Sequence, residues 1–188
     1  TKPGMVLVHG SGSHSHWWDF IAPLLLEDFQ ISAIDLSGMG DSDHRTDYSP
    51  ELYGKEILSV AEDSNFFEVS DPIICGHSMG GFMGAYAGLI SDKKLGGVIM
   101  VDSPIRPPTY DYSTHVRSGP IRRIKTYPDR ESILERFRLT PEQDCENEYL
   151  VKYIAEWSVK EANNGYQWKF DDTISVSYTH LRAHETVA

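Results

Sequence analysis

Apolar positions along this chain follow two rhythms. Short unbroken runs alternate with stretches in which apolar side chains recur every three or four residues. Met5, Val6, Leu7 and Val8 form the first run, closed by His9 and Gly10. A run without polar alternation predicts a strand covered on both faces, as in a parallel sheet. After the loop "GSGS" at 10–13, Trp17, Trp18, Ile21, Leu24 and Leu25 are spaced like one face of a helix over 15–27. The run "QISAID" at 30–35 predicts a second strand, and the polar, glycine-rich loop "LSGMGDSDHRTDY" follows it. Ser49, Pro50 and Glu51 have the chemistry of a helix start, with serine at the N-cap and proline in the first turn. That helix is expected to run to about Phe67. Residues 72–76 predict a third strand, 79–91 a helix, and "GVIMV" at 97–101 a fourth strand.

Alternation of strand and helix over the first hundred residues predicts an α/β fold. The expected architecture is a doubly wound, mostly parallel sheet with right-handed crossovers. Residues 1–103 form this core. After Asp102, Ser103 and Pro104 the texture changes: "IRPPTYDYSTHVRSGPIRRIKTYP" is rich in proline, arginine and tyrosine and has no strand pattern. Residues 104–170 are read as a helical cap over one end of the sheet, and 171–175 as the return to the core. Within the cap a helix is expected at about 130–139. A second should open at Thr140 and Pro141 and reach about Ala162, with Tyr149, Leu150, Tyr153, Ile154 and Trp157 on one face. Asn164 and Gly165 predict a turn.

Composition narrows the classes. A chain of 188 residues suffices for one domain. Its formal net charge of −11 disfavours phosphate backbones and anionic membranes, so neither nucleic acid nor membrane is an expected partner. No apolar run approaches the roughly 20 residues that cross a bilayer. No basic, apolar leader opens the chain, and secretion is not expected. The chain starts at Thr1, with Met5 already inside an apolar run, which suggests a trimmed N-terminus. Cys75 and Cys145 form neither a disulfide framework nor a metal spacing; Cys75 is expected in the core, reduced, in a cytoplasmic protein.

The candidate chemistry lies in "ICGHSMGG" at 74–81, where Gly76, His77, Ser78, Met79 and Gly80 spell Gly-x-Ser-x-Gly. That spacing alone arises by chance in roughly one chain in twenty of this length. Its context is more specific, since it follows a predicted buried strand and opens a predicted helix, as a nucleophile elbow requires. A plain strand-to-helix turn is the alternative. The loop at His9, Gly10, Ser11 and Gly12 follows the first strand. With the amide of Met79, its own amide, from Ser11 or from Gly12, would supply two donors for an oxyanion.

Taken together, His9-Gly10 after the first strand, Asp35 to Ser42 ("DLSGMGDS"), the serine motif and Val101-Asp102-Ser103-Pro104 resemble the α/β-hydrolase superfamily. The paired tryptophans and "NGYQWKFD" resemble one bacterial branch of it. The resemblance covers about residues 3–174. It implies a Ser–acid–His triad, a cap after the fourth strand, no cofactor or metal, and a small-molecule substrate.

In that family the acid and then the histidine follow the nucleophile along the chain. Neither expected strand is visible after the cap. His180 and His184 are not taken as bases, because residues 176–186, "VSYTHLRAHET", resemble a translated transposon-end sequencing adapter. Residues 176–188 are therefore expected to be a non-native tail on a C-terminally truncated frame. Asp102 stands where a minority of hydrolases carry the acid, although a local backbone role is preferred. Asp35 and Asp41 are read as structural. Gly10, Gly12, His77 and Trp157 are candidate pocket residues, with Tyr110 and Tyr112 of the cap. His77 is expected to point away from Ser78, and His14 and His16 to be exposed loop histidines. The expected activity is hydrolysis of a small or medium carboxylic ester, or a related acyl or C–C bond, through Ser78. The fragment itself, without acid and base, is expected to be inactive. The rival reading is a non-catalytic ligand-binding protein on the same fold. Substrate and oligomeric state are not legible.

Overall fold

In the computed structural model, which describes residues 2–103, 124–140 and 142–174, the four apolar runs become four parallel strands. These are β1 (Gly4–Val8), β2 (Gln30–Ile34), β3 (Ile73–His77) and β4 (Gly97–Val101), in the order β2-β1-β3-β4. The order reverses direction between β1 and β3. Strand β2 is laid to one side of β1, whereas β3 and β4 are laid to the other.

Helix α2 (Pro50–Asp63) is capped as its sequence requires: the Ser49 hydroxyl accepts the amide of Leu52, and Pro50 stands in the first turn. It ends at Asp63, short of the expected Phe67, and Phe66–Glu68 forms a separate 3-10 turn. Helix α3 (Met79–Ile90) follows β3 directly. Both helices cover one face of the sheet, where Val6, Val8, Ile34, Tyr53, Ile57, Ile74, Met83 and Ala87 close into one core. Removing a Leu-sized side chain from water contributes about 1.5–3 kcal/mol, so each fully buried apolar side chain of this layer stabilises the fold by an amount of that order.

On the opposite face, Met5, Leu7 and Cys75 are covered by Trp18, Ala22, Leu25 and Phe29. The single helix expected over 15–27 is instead a 3-10 turn at Ser15–Trp18 and a four-residue α1 at Ala22–Leu25. Pro23 explains the break, because it has no amide to extend the earlier turn and it starts a helix readily. This cover stops short of β4, whose Ile99 and Val101 remain 46% and 41% exposed. Register places Ile99 beside Cys75 and Val101 beside His77, so the uncovered strip continues the buried face.

Beyond β4, in the region expected to form the cap, the described residues build α4 (Arg130–Leu134), α5 (Glu148–Trp157), and an antiparallel hairpin of β5 (Val159–Ala162) and β6 (Gly165–Trp168). The expectation of a helix from Thr140 to Ala162 is corrected here. Asn147, not Thr140, caps α5 through its side chain, and residues 159–162 pair as a strand. The turn is where Asn164 and Gly165 predict it. Asn164 sits at φ 73, and asparagine tolerates this left-handed conformation. Tyr127 bridges to Tyr166 and Met39 to Phe170, which ties the hairpin to the loop after β2. Tyr48 donates to Asp171 at 2.6 Å across the same junction, and burial together with this bond pushes the phenol up to about 12. Tyr110, Tyr112, His180 and His184 lie outside the described residues.

Candidate active site

In an open parallel sheet a ligand site is expected outside the carboxyl ends of the strands, where the strand order reverses. Here that point is the gap between β1 and β3. Val8 pairs with Gly76, so the loop leaving β1 and the turn leaving β3 emerge side by side.

The turn is sharp. Ser78 adopts φ 51 and ψ −117, a conformation that costs an L-residue about 1–3 kcal/mol. Its amide is held by the carbonyl of Val101 at 2.9 Å, and its carbonyl accepts the hydroxyl of Ser103 at 2.7 Å and the amide of Gly81 at 3.1 Å. Among the described residues nothing hydrogen-bonds its hydroxyl, and the residue is half-buried. The motif's glycines have a steric cause. A Cβ on Gly76 would collide with the carbonyl of Gly80, and one on Gly80 would lie 2.5 Å from the carbonyl oxygens of Val8 and His9. The strand-to-helix turn is therefore pressed against the end of β1.

Facing it, Gly10 packs against the ring of His77 and the Cβ of Ser78. His9 is buried, and its Nε2 accepts the amide of Leu36 at 3.0 Å. That bond fixes the neutral tautomer, with Nδ1 donating to the carbonyl of Gly10 at 2.7 Å. Desolvation holds His9 below its ordinary range, against the pull of the Gly10 carbonyl. The amide of Ser13 also meets the Gly10 carbonyl, at 3.3 Å. With this carbonyl anchored twice, the planar trans peptide turns the amide of Ser11 the opposite way. The amide of Gly12 is committed to the Met39 sulfur at 3.3 Å, whereas that of Ser11 has no acceptor among the described residues. Met79 opens α3, where first-turn amides have no intrahelical acceptor and the helix dipole favours negative charge.

Asp35 terminates β2 and braces this region. Its carboxylate accepts the amides of Ser15 at 2.6 Å and Asp41 at 2.8 Å. Burial pulls its pKa upward, but these amides outweigh it and hold the group below the usual carboxylate range. Asp41 pairs with Lys169 of the cap at 2.6 Å. Asp102 stands exposed at φ 47 with no hydrogen bond among the described residues, so the expected local backbone bond is not seen there. Trp157 stacks on His16, with ring centroids 3.6 Å apart, and the Lys169 ammonium lies 5.4 Å from the centroid of the Trp157 ring.

The exposed histidines expected at 14 and 16 need correction. His14 is 2% exposed. Its Nε2 bonds Ser158 at 3.0 Å on the cap, and its Nδ1 is buried without a partner among the described residues. His16 pairs with Asp19 at 2.7 Å beneath Trp157. The contact between His14 and Ser158 joins residues far apart in sequence, and no local signal announces it. Ser103 enters the sequence reading only within Val101-Asp102-Ser103-Pro104, and its bond to the Ser78 carbonyl has no local signal.

Burial pulls His14 from an ordinary 6.5 down to about 4, against the carbonyl of Ile154 and the charge of Asp35. A folded pKa below the unfolded one gives stability that is complete above about pH 6.5 and lost as pH falls towards 4. The unfolding midpoint should therefore fall over that window. The fall should be shallower in His14→Gln, which keeps a donor for Ser158, as thermal unfolding at stepped pH would show.

Comparison with known proteins bears on the family and the fold. The model of the alpha/beta hydrolase family matches residues 5–183. A pimeloyl-[acyl-carrier protein] methyl ester esterase of Edwardsiella ictaluri is 30% identical over 102 residues, 54% of this chain and 37% of the esterase. A serine hydrolase-like protein of Danio rerio is 30% identical over 120 residues, 61% of this chain and 36% of its own. The structure of a putative hydrolase from Rickettsia typhi superposes with a TM-score of 0.74 at 23% identity, over 94% of this chain and 62% of that one. The chain thus spans little more than a third of the two curated relatives. No described helix is long and apolar enough to cross a membrane. A strained serine between glycines, a parallel sheet reversing beside it, and a family model over most of the length lead to one statement: this chain belongs to the alpha/beta hydrolase family.

Proposed function

We propose that the protein is the nucleophile-bearing part of a serine hydrolase that acts by acyl transfer on a small or medium carboxylic ester or related bond. The observation that carries this reading is the backbone of Ser78, strained at φ 51 and set at the switch point of the sheet. Strain of this kind persists only where surrounding structure holds it, and it concentrates at reacting groups.

In this reading the Ser78 Oγ attacks the substrate carbonyl and its proton passes to a base. The carbonyl oxygen becomes an oxyanion, which the amides of Met79 and Ser11 receive. Collapse of the tetrahedral intermediate expels the alcohol and leaves an acyl-serine. Water then repeats the sequence, releases the acid and restores the hydroxyl. His9 acts on this step as a positioning group, through the Gly10 carbonyl.

Among the described residues no histidine hydrogen-bonds the Ser78 hydroxyl. The base and the acid that orients it are proposed to come from further sequence of a longer parent, as the coverage of the relatives suggests. Residues 176–188 remain proposed as non-native. Triad members act as a unit, so the chain alone should turn over several orders of magnitude more slowly than that parent. Labelling with a fluorophosphonate, followed by peptide mapping of the adduct, tests the reading. Modification confined to Ser78 supports acyl transfer. An unlabelled Ser78 in the full-length parent favours the ligand-binding alternative.

A further inference from the structure

A cleft of about 1250 Å³ opens between the loop after β1 and the cap, with Gly12 and His14 on one wall. Gly12 and His14 belong to the loop that carries the Ser11 amide, so the cleft and the proposed oxyanion donor share one loop. Its cap wall joins two chemistries. Tyr127, Phe137, Trp168 and Phe170 supply apolar and aromatic surface. Lys125, Arg136, Arg138 and Lys169 supply every charge on the described lining, which contains no Asp or Glu.

That bias runs against the whole chain, which has 28 acidic and 17 basic residues. The cations differ in their availability. Lys169 is engaged by Asp41. Arg138 donates one nitrogen to the carbonyls of Glu135 and Phe137, at 2.8 and 2.6 Å, and has no carboxylate partner among the described residues. Lys125 and Arg136 have no ion pair among the described residues. Fixed positive charge on a cleft in an otherwise negative surface concentrates anions there. Guanidinium groups further favour planar, bidentate oxyanions.

We propose that this cleft receives the remote end of the substrate, and that this end is an anionic head, a carboxylate or phosphate, on an apolar chain. The aromatic wall takes the chain, and Lys125 and Arg136 take the head. This deepens the acyl-transfer reading and rests on it for the orientation of the ligand, with the ester towards Ser78.

Calorimetric titration of the intact chain tests the inference with three ligands of matched length: monomethyl adipate, methyl 6-(phosphooxy)hexanoate and neutral dimethyl adipate. At low salt at least one anionic ester should bind about tenfold or more tightly than the neutral one, a preference that 0.5 M salt should reduce. The tighter of the two anions identifies the head group. In the double variant Lys125→Gln with Arg136→Gln the preference should fall to within about twofold, whereas Lys55→Gln with Lys94→Gln, both exposed elsewhere, should retain it. Equal binding of anionic and neutral esters, or a preference that survives the cleft double variant, overturns the inference. Fluorophosphonate labelling of the same samples separates the two readings. Labelling at Ser78 without an anion preference removes the cleft inference alone. A preference without labelling in the full-length parent removes acyl transfer and leaves the anion site standing.

Discussion

Replacing Ser78 with alanine should reduce fluorophosphonate labelling to background, below about 1% of the unmodified chain, without loss of the fold. The hydroxyl makes no hydrogen bond among the described residues, so its removal leaves no buried group unpaired. A structural serine would behave differently, since its loss would expose unpaired partners. Because no base touches Ser78 among the described residues, labelling of the unmodified chain should be slow, and added imidazole should quicken it. Ser78→Ala should stay unlabelled with imidazole present. Ser78→Gly carries the argument further. Glycine adopts φ 51 freely, so this variant should unfold about 1–2 kcal/mol later than the unmodified chain while it also loses labelling. Stability gained where reactivity is lost would mark strain kept for chemistry. Persistent labelling in Ser78→Ala, or an adduct mapped to another serine, would refute the assignment.

The second large effect is steric and comes from the same elbow. Gly80→Ala should destabilise the fold by about 3 kcal/mol or prevent it from closing. The new methyl would lie 2.5 Å from two backbone oxygens, those of Val8 and His9, and backbone cannot rotate aside. Separating α3 from the end of β1 would also part the Met79 amide from the Ser11 loop, so labelling should fall together with stability. Gly88→Ala is the matched control on the same helix. Its methyl would meet only side chains, Val98 at 3.5 Å and Leu95 at 3.8 Å, and helix propensity should then stabilise it by about 1 kcal/mol. Chemical denaturation of both variants reads the contrast. Equal effects from the two substitutions would mean that the elbow is not pressed on β1.

These contrasts show what the sequence makes legible. Strands β1 to β4 were visible because a strand covered on both faces must be apolar at every position, and a local run records that. Helices α2 and α3 were visible because Ser49 with Pro50 and the Gly-x-Ser-x-Gly spacing are local start signals. The sharp turn between β3 and α3 is readable for a related reason: its glycines answer to backbone within a few residues and to one adjacent strand. Elements that depend on distant partners were not readable. His14 looks like a solvated loop residue until Ser158 and Ile154 are brought to it. The stretch at 159–168 was read partly as helix because the apolar spacing of α5 runs into it. Asn164 and Gly165 already signalled the hairpin, and pairing with Trp168 and Gln167 decided the matter. Of the cleft's cations only Lys125 lies in the arginine-rich stretch at 105–128, and nothing local marks Arg136, Arg138 or Lys169. Which wall they share depends on how the cap folds back over Gly12.

The account depends most directly on where an oxyanion would sit. A crystal structure of the phosphonylated chain measures this. The phosphonyl oxygen on Ser78 should lie about 2.7–3.1 Å from both the Met79 and Ser11 amide nitrogens. An oxygen turned to solvent, or held by neither amide, would contradict the account.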